Sequence, residues 1–340
     1  MCRFLYIICL NEIIFDKNER DEEMSKTNIK AERKIKSIAP KEGNAVARFI
    51  SRDFAAWVLM IPMLICVFYF TLRPQILSIY WSFHKMVMYE PQEFVGFKNY
   101  ITVLSRPDFL QTVKNTFTYV LYSMIIGFPL PFILALVMNE LVHFRKTTRV
   151  LVYFPSIMPA MAISLLWVFI YNPSAGGLMN MFLDKLGIEA YQWLQDSRFT
   201  ILWIVISMTW NGCGATALYY FAAMQGINRE LYEAALIDGA GYWKRVKIVT
   251  LPYMYGMLIL FGVKQIIGVF NVMEQVLQMT GGGPNNASVT LGLLNYRYAF
   301  ENGGKNAQYA LALGVMMFIF LSVFAILYFF LDKKIQENQL

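Results

Sequence analysis

The chain has 340 residues, of which 57% are hydrophobic, 16% aromatic and only 16% charged, with a mean hydropathy of +0.44. Soluble domains carry about 25% charged residues, so this composition excludes an ordinary soluble globular protein and points to the membrane. The net charge of +7 is no nucleic-acid signature, because most of the excess sits in the first 52 residues and in the loops on one side of the apolar segments.

At the N-terminus, Phe4 to Phe15 is apolar for only about a dozen residues, too short to span a bilayer. It lacks the strong basic start and small-residue cleavage site of a signal peptide. Asp16 to Lys41 is charged and mixed in sign, and reads as a tail with weak helical tendency. Met24 stands as an alternative start. No function rests on this region, and residues 1–53 are expected to form a cytoplasmic tail.

A membrane helix needs about 20 apolar residues. Six segments qualify, near 54–72, 114–138, 149–171, 200–224, 253–276 and 308–331. The expected architecture is an all-α polytopic membrane protein, with a transmembrane domain over 54–332 and a short tail at 333–340. Pro62, Pro129, Pro131, Pro155 and Pro159 are expected to kink their helices, which membranes tolerate. Packing and gating are both open roles for them. Six spans put both termini on one side. Of the 30 Lys and Arg, 20 fall on that side, 9 on the other, and Lys264 inside a span. Arg145, Lys146 and Arg149 cluster in one turn, so the positive-inside rule places both termini in the cytoplasm. Cys2, Cys9, Cys66 and Cys213 form no close pair, and His84 and His143 stand far apart, so neither a disulfide framework nor a metal site is indicated.

Between the fourth and fifth segments lies a polar island over 226–252. Asn228 suits a helix N-cap, and Glu230 suits the positive end of the helix dipole. Leu231, Ala234 and Ala235 give a narrow apolar face. Gly239 is the natural stop, because glycine takes the left-handed conformation cheaply. Tyr242, Val246 and Val249 recur at helical spacing, with Lys244, Arg245 and Lys247 between them, and Pro252 opens the next apolar run. The string Glu233-Ala234-Ala235-Leu-Ile-Asp238-Gly239, closing at Leu251-Pro252, resembles the Glu-Ala-Ala loop of the permease subunits of ATP-driven (ABC) importers. Val249 stands where that pattern has Ile. The plainer reading is an ordinary amphipathic loop between membrane helices.

After the fifth segment comes Thr280-Gly281-Gly282-Gly283-Pro284, a tight turn. It lacks the Gly-Lys-Ser/Thr ending of a phosphate loop. Together with the Glu233 loop it resembles the turn of sugar permeases of the maltose and glycerol-phosphate importer type. Asn295-Tyr-Arg-Tyr-Ala-Phe300 and Ala310-Leu-Ala-Leu-Gly314 look similar to that family too, and the resemblance covers roughly 54–332.

The resemblance implies a type I importer permease fold in a bacterial cytoplasmic (inner) membrane. It implies pairing with a second related permease, two ATPase subunits beneath, and an extracellular solute-binding protein that delivers sugar. The loop at Glu233 would be the helix that couples to the ATPase, which would carry ATP and Mg. No Walker motif, metal cluster or nucleophile–base pair is found here, so this chain is not expected to be an enzyme, to hold a cofactor or metal, or to bind nucleic acid.

Within the spans, Lys264, Gly268, Asn271 and Gln275 fall at i, i+4, i+7 and i+11, a single polar stripe if the fifth segment is one helix. A mid-bilayer lysine costs roughly 2.5–3.5 kcal/mol on insertion scales, so it should face protein or water. Trp210 and Asn211 on the fourth segment suit a sugar's apolar face and hydroxyls. Lining a polar path and bonding helix to helix are both open to these side chains. An ion-coupled secondary transporter is the rival of another class. Glu274 is the single acid inside a span and no inverted repeat is visible, both of which argue against it. A permease for a non-sugar solute is the closer rival.

Overall fold

The computed structural model describes residues 45–141, 145–174, 176–301 and 303–339, with side chains from 56 to 330. Residues 1–44, which hold the short apolar stretch, Met24, Cys2 and Cys9, and also His143, lie outside the described residues. Two compact units are found, up to Pro74 and from Gln75 onward. In the first, the helix Ala45–Val67 carries Pro62 and runs into a π-helical turn, Phe68–Leu72. Its Arg73 guanidinium lies 5.8 Å from the Tyr69 ring centroid.

Among the described residues, five helices are long and apolar enough to cross a membrane: Ala56–Trp81, Pro107–Glu140, Thr200–Met224, Tyr242–Phe270 and Ala307–Phe330. A sixth crossing is made only by a broken pair, Lys146–Ile157 and Ala160–Ile170, bent by 94°. The single helix expected over 149–171 is therefore wrong in shape. Pro159 cannot donate to the carbonyl four residues back, and it pushes Met158 out of the helical region. The Pro155 carbonyl, to which Pro159 has no N–H to give, accepts from Met158 N at 3.4 Å and from Asn211 Nδ2 at 3.1 Å.

The fifth segment also departs from expectation. It starts earlier, at Tyr242, and passes through a π-helical turn, Val246–Thr250, before Leu251–Phe270. It then stops at Phe270, and a separate short helix follows at Glu274–Met279. At the break, Asn271 Nδ2 donates to Ile267 O at 2.9 Å, and Thr290 Oγ1 donates to Val272 O at 2.6 Å. The first supplements the Asn271 N bond to the same carbonyl, at 3.3 Å, and the second ties the break to a residue far along the chain, which sequence periodicity does not register. The last helix, Ala307–Gln339, runs through the expected boundary at 332.

The second unit is helical except for one antiparallel hairpin, His84–Val87 with Glu90–Phe94, which the all-α expectation did not include. Its two-residue turn puts Met88 and Tyr89 at φ +49° and +69°, the pattern of a type I′ turn. The core clusters where helices cross. Tyr119, Tyr171, Trp193, Ile204, Val205, Val276 and Leu293 fill one side. Ala135, Tyr220, Phe221, Val246 and Met254 fill the loop end.

Two helices approach closely at Gly214, where a β-carbon would stand 2.0 Å from Val152 O. Small residues at membrane-helix contacts let backbones meet in this way. Gly214→Ala should destabilise the detergent-solubilised chain by about 1–3 kcal/mol, the range for overpacking, read as a lowered midpoint of thermal unfolding. An unchanged midpoint would show that the two helices do not pack as described.

Candidate functional site

Three regions hold the residues that the sequence singled out. In the 226–252 loop, Arg229–Ile237 forms a helix, and Asn228 Oδ1 accepts from Glu230 N at 3.1 Å, the expected cap. The far end is a Schellman motif. Ala240 N donates to Ala235 O at 2.9 Å, Gly239 N donates to Leu236 O at 3.0 Å, and Gly239 sits at φ +71°. Ala235 is buried, but Leu231 and Ala234 are exposed, so the expected apolar face shrinks to one residue. Glu233, Asp238, Leu236 and Ile237 also face outward, with Ile237 87% exposed. The helix is thus a firmly capped rod with an unburied outer surface. Tyr232 Oη and Thr250 Oγ1 lie 2.8 Å apart and tie it to the π-helical turn, and Pro252 opens the helix beyond.

The polar stripe divides at the Phe270 break into two cavities. A cavity of about 250 Å³ is lined by Lys264, Gln265, Gly268, Thr209, Cys213 and Ser123, among others. A larger one of about 570 Å³ is lined by Gly268, Asn271, Glu274, Gln275, Asn295 and Tyr296, among others. Gly268 and Met208 border both. The stripe is therefore not one helical face, yet each of its members borders at least one of two adjoining cavities, the smaller of them mostly apolar in its lining. Lys264 Nζ lies 5.4 Å from the Phe261 ring centroid, and no carboxylate ion pair to it is found among the described residues.

Trp210 and Asn211 stand apart from this group. Trp210 packs edge-on against Trp167 at 5.8 Å. Asn211 braces the Pro155 carbonyl, and its own carbonyl accepts from Ser156 Oγ at 2.6 Å. The structure thus gives Asn211 the helix-bonding role.

Sequence reasoning missed Ser123 and Gln265. The Gln265 amide donates to Ser123 Oγ, at the π-helical turn Ser123–Gly127 that borders the smaller cavity. No sequence period announces such a turn, although π-bulges often mark functional places. It also missed Asn295 and Glu274 as neighbours across the larger cavity.

The outer turn is held from several sides. The Gly283–Pro284 bond is cis. Thr280 Oγ1 and Ser288 Oγ lie 2.8 Å apart, and Arg297 donates to Gly281 O. Asn115 Nδ2 donates to Asn286 O at 2.8 Å and to Val289 O at 3.1 Å, and Tyr119 Oη to Ser288 O at 3.2 Å. The helix Pro107–Tyr122 thus holds the loop 280–290 in one shape. A cavity of about 340 Å³ opens beside Gly283 and Pro284, bordered by Tyr171, Asn172 and Gln195. Nearby, Arg198 and the Tyr191 hydroxyl hold the Asp196 carboxyl well below the usual carboxylate range. Among the described residues, no group of three or more His, Cys, Asp or Glu could hold a metal ion.

Residues 127–337 match the family described as "Binding-protein-dependent transport system inner membrane component". The chain is 31% identical, over 80% of its length and 91% of the relative's, to the trehalose/maltose transport system permease protein MalF of Thermococcus litoralis. It is 26% identical, over 93% of its length and 99% of the relative's, to the arabinooligosaccharides transport system permease protein AraP of Halalkalibacterium halodurans. Its fold is similar to a chain in the crystal structure of a bacterial ABC transporter involved in the import of the acidic polysaccharide alginate. The TM-score is 0.75 at 24% identity, over 85% of this chain and 98% of that one.

Gly282 lies at φ +93°, and a β-carbon there would stand 2.7 Å from Val289 Cγ2 and 2.8 Å from Arg297 Nη2. Gly282→Ala should therefore loosen the outer turn while leaving the spans intact. Amide hydrogen exchange over 280–290 should quicken at least tenfold, the equivalent of about 1.4 kcal/mol of lost local protection, with exchange in Thr200–Met224 unchanged.

Proposed function

The chain belongs to the family of binding-protein-dependent transport system inner membrane components, and from that premise we propose that it is one permease subunit of an ATP-driven sugar importer, working on oligosaccharides. A membrane component of this kind is a transport subunit and not an enzyme. ATP hydrolysis, with its Mg, is assigned to two separate ATPase subunits. A second related permease completes the pore, and an extracellular solute-binding protein delivers the sugar. Both termini and the 226–252 loop face the cytoplasm. The names of the relatives, for trehalose, maltose and arabinooligosaccharides, support the substrate class.

One observation carries the mechanism. A capped rod with an unburied surface, Arg229–Ile237, leads through the short helix Tyr242–Arg245 and a π-helical turn into the helix that borders both cavities. Closure of the ATPases would push Glu233, Ala234 and Asp238, the rod would carry Pro252 and its helix along, and the cavities beside Lys264, Asn271 and Gln275 would open outward. Such a change needs a differential contact in the two states, which the ATPase supplies at the rod. The outer turn Gly281–Pro284 offers the solute-binding protein a fixed shape.

Gly239 tests the coupling. A β-carbon there meets nothing within 4 Å in the free chain, so the cost of a side chain is the left-handed backbone, about 1–2 kcal/mol. Gly239→Asp should insert normally but lose sugar uptake in proteoliposomes holding the whole complex. Glu233→Lys should lower the amount of ATPase subunit that co-purifies. Normal uptake by both variants would reduce the loop to a connector, and uptake of a non-sugar solute instead would retire the sugar reading.

Cysteines placed at 264, 271 and 275 in a cysteine-free background test the path. They should react with a membrane-impermeant thiol reagent when nucleotide turns the complex outward, whereas Ile266→Cys, in a position packed against the buried cluster of Val103, Phe270 and Leu313, should not. Equal protection at all four positions would place the stripe in a dry interface. Lys264→Met separates two roles, altered transport by an intact complex if it meets sugar, or loss of the second permease on purification if it bridges subunits.

A further inference from the structure

The segment joining the capped rod to its membrane helix is divided into two faces. Val246 and Thr250 are buried, while Trp243, Lys244, Lys247 and Ile248 point outward, Trp243 at 67% and Ile248 at 53% exposure. Charge is segregated along the loop. Its carboxylates, Glu230, Glu233 and Asp238, all lie at or before residue 238, and no acidic residue follows until Glu274. Lys244, Arg245 and Lys247 fill the segment between.

Length places this segment relative to the bilayer. Tyr242–Phe270 is a candidate span of 29 residues, whereas about 20 fill the hydrocarbon core. Leu251–Phe270 alone supplies 20 residues, and Lys244, Arg245 and Lys247 all lie in the nine residues before it, which suits Tyr242–Thr250 to the headgroup layer on the side of the loop. An outward face of one indole, one aliphatic side chain and two ammonium groups, free of carboxylates, suits that layer. Indoles favour it, and lysines meet the phosphates of anionic lipids there.

We propose that the face formed by Trp243, Lys244, Lys247 and Ile248 binds anionic phospholipid headgroups of the adjoining leaflet. Lipid held there fixes the exit of the 226–252 loop, so that the rod turns about an anchored point instead of dragging a free one. The binding itself needs only a membrane chain, and its effect on turnover rests on the importer reading above.

The test uses the complete importer in nanodiscs of phosphatidylcholine alone or with about a quarter phosphatidylglycerol. Native mass spectrometry should show phosphatidylglycerol retained by the wild type, with fewer molecules on Lys244→Gln/Lys247→Gln and retention restored by Lys244→Arg/Lys247→Arg. ATP turnover should rise severalfold with phosphatidylglycerol in the wild type and stay flat in the double Gln variant. The wild-type rise should shrink at high salt, since headgroup attraction is screened. Equal lipid retention by wild type and the Gln variant would overturn the proposal. So would loss of the ATPase subunit from that variant, because the face would then belong to a protein partner. If no sugar is carried while lipid retention follows the charge, the importer reading fails and the lipid site stands.

Discussion

A chain inside lipid must satisfy its backbone polar groups from within, because no water is there to do it. This constraint shapes the whole molecule. At two breaks in the membrane helices, a side chain from elsewhere bonds a carbonyl beside the break. Asn211 serves the Pro155 carbonyl across two helices, and Thr290 serves that of Val272 from the far side of the outer loop. Each repair is also a tether, so the helix breaks double as fastening points between segments far apart in sequence.

Much of the architecture was legible because it follows from composition and local chemistry. Hydropathy finds the segments, since a spanning helix needs only length and apolarity. The N-cap at Asn228 and the glycine stop at Gly239 were readable too, because caps are local and depend on few residues. The fifth segment was misread at Phe270 because its repair comes from Thr290, twenty residues on, and no window over 253–276 contains that hydroxyl. The third segment showed its prolines but not the size of the bend. The burial of Ala235 with exposure of Leu231 was likewise hidden, because it depends on which neighbour covers the helix.

The 226–252 loop joins two kinds of rigidity. Its helix is closed at one end by Asn228 and at the other by two Schellman hydrogen bonds, so it moves as a unit. The π-helical turn Val246–Thr250 that follows is a looser joint, with Tyr232 and Thr250 keeping it in register. Under the coupling role proposed above, a capped helix followed by a π-helical turn would pass motion to the next helix without unwinding either one.

The two broken helices look alike in sequence terms but differ in what surrounds them. At Pro159 the break is braced by a neighbouring helix: Asn211 Nδ2 joins Met158 N on the Pro155 carbonyl, the Ser156 hydroxyl bonds the Asn211 carbonyl, and Ala215 N donates to Ser156 Oγ at 3.2 Å. At Asn271 the break borders the cavity of about 570 Å³, with Asn271 itself exposed. Irregular backbone at membrane depth is tolerated either buried in protein or against a water-filled space. The first break is held by hydrogen bonds to the helix Thr200–Met224, and the second borders an open cavity. That contrast, rather than the presence of asparagine at either place, is what separates a braced joint at Asn211 from a cavity-bordering position at Asn271.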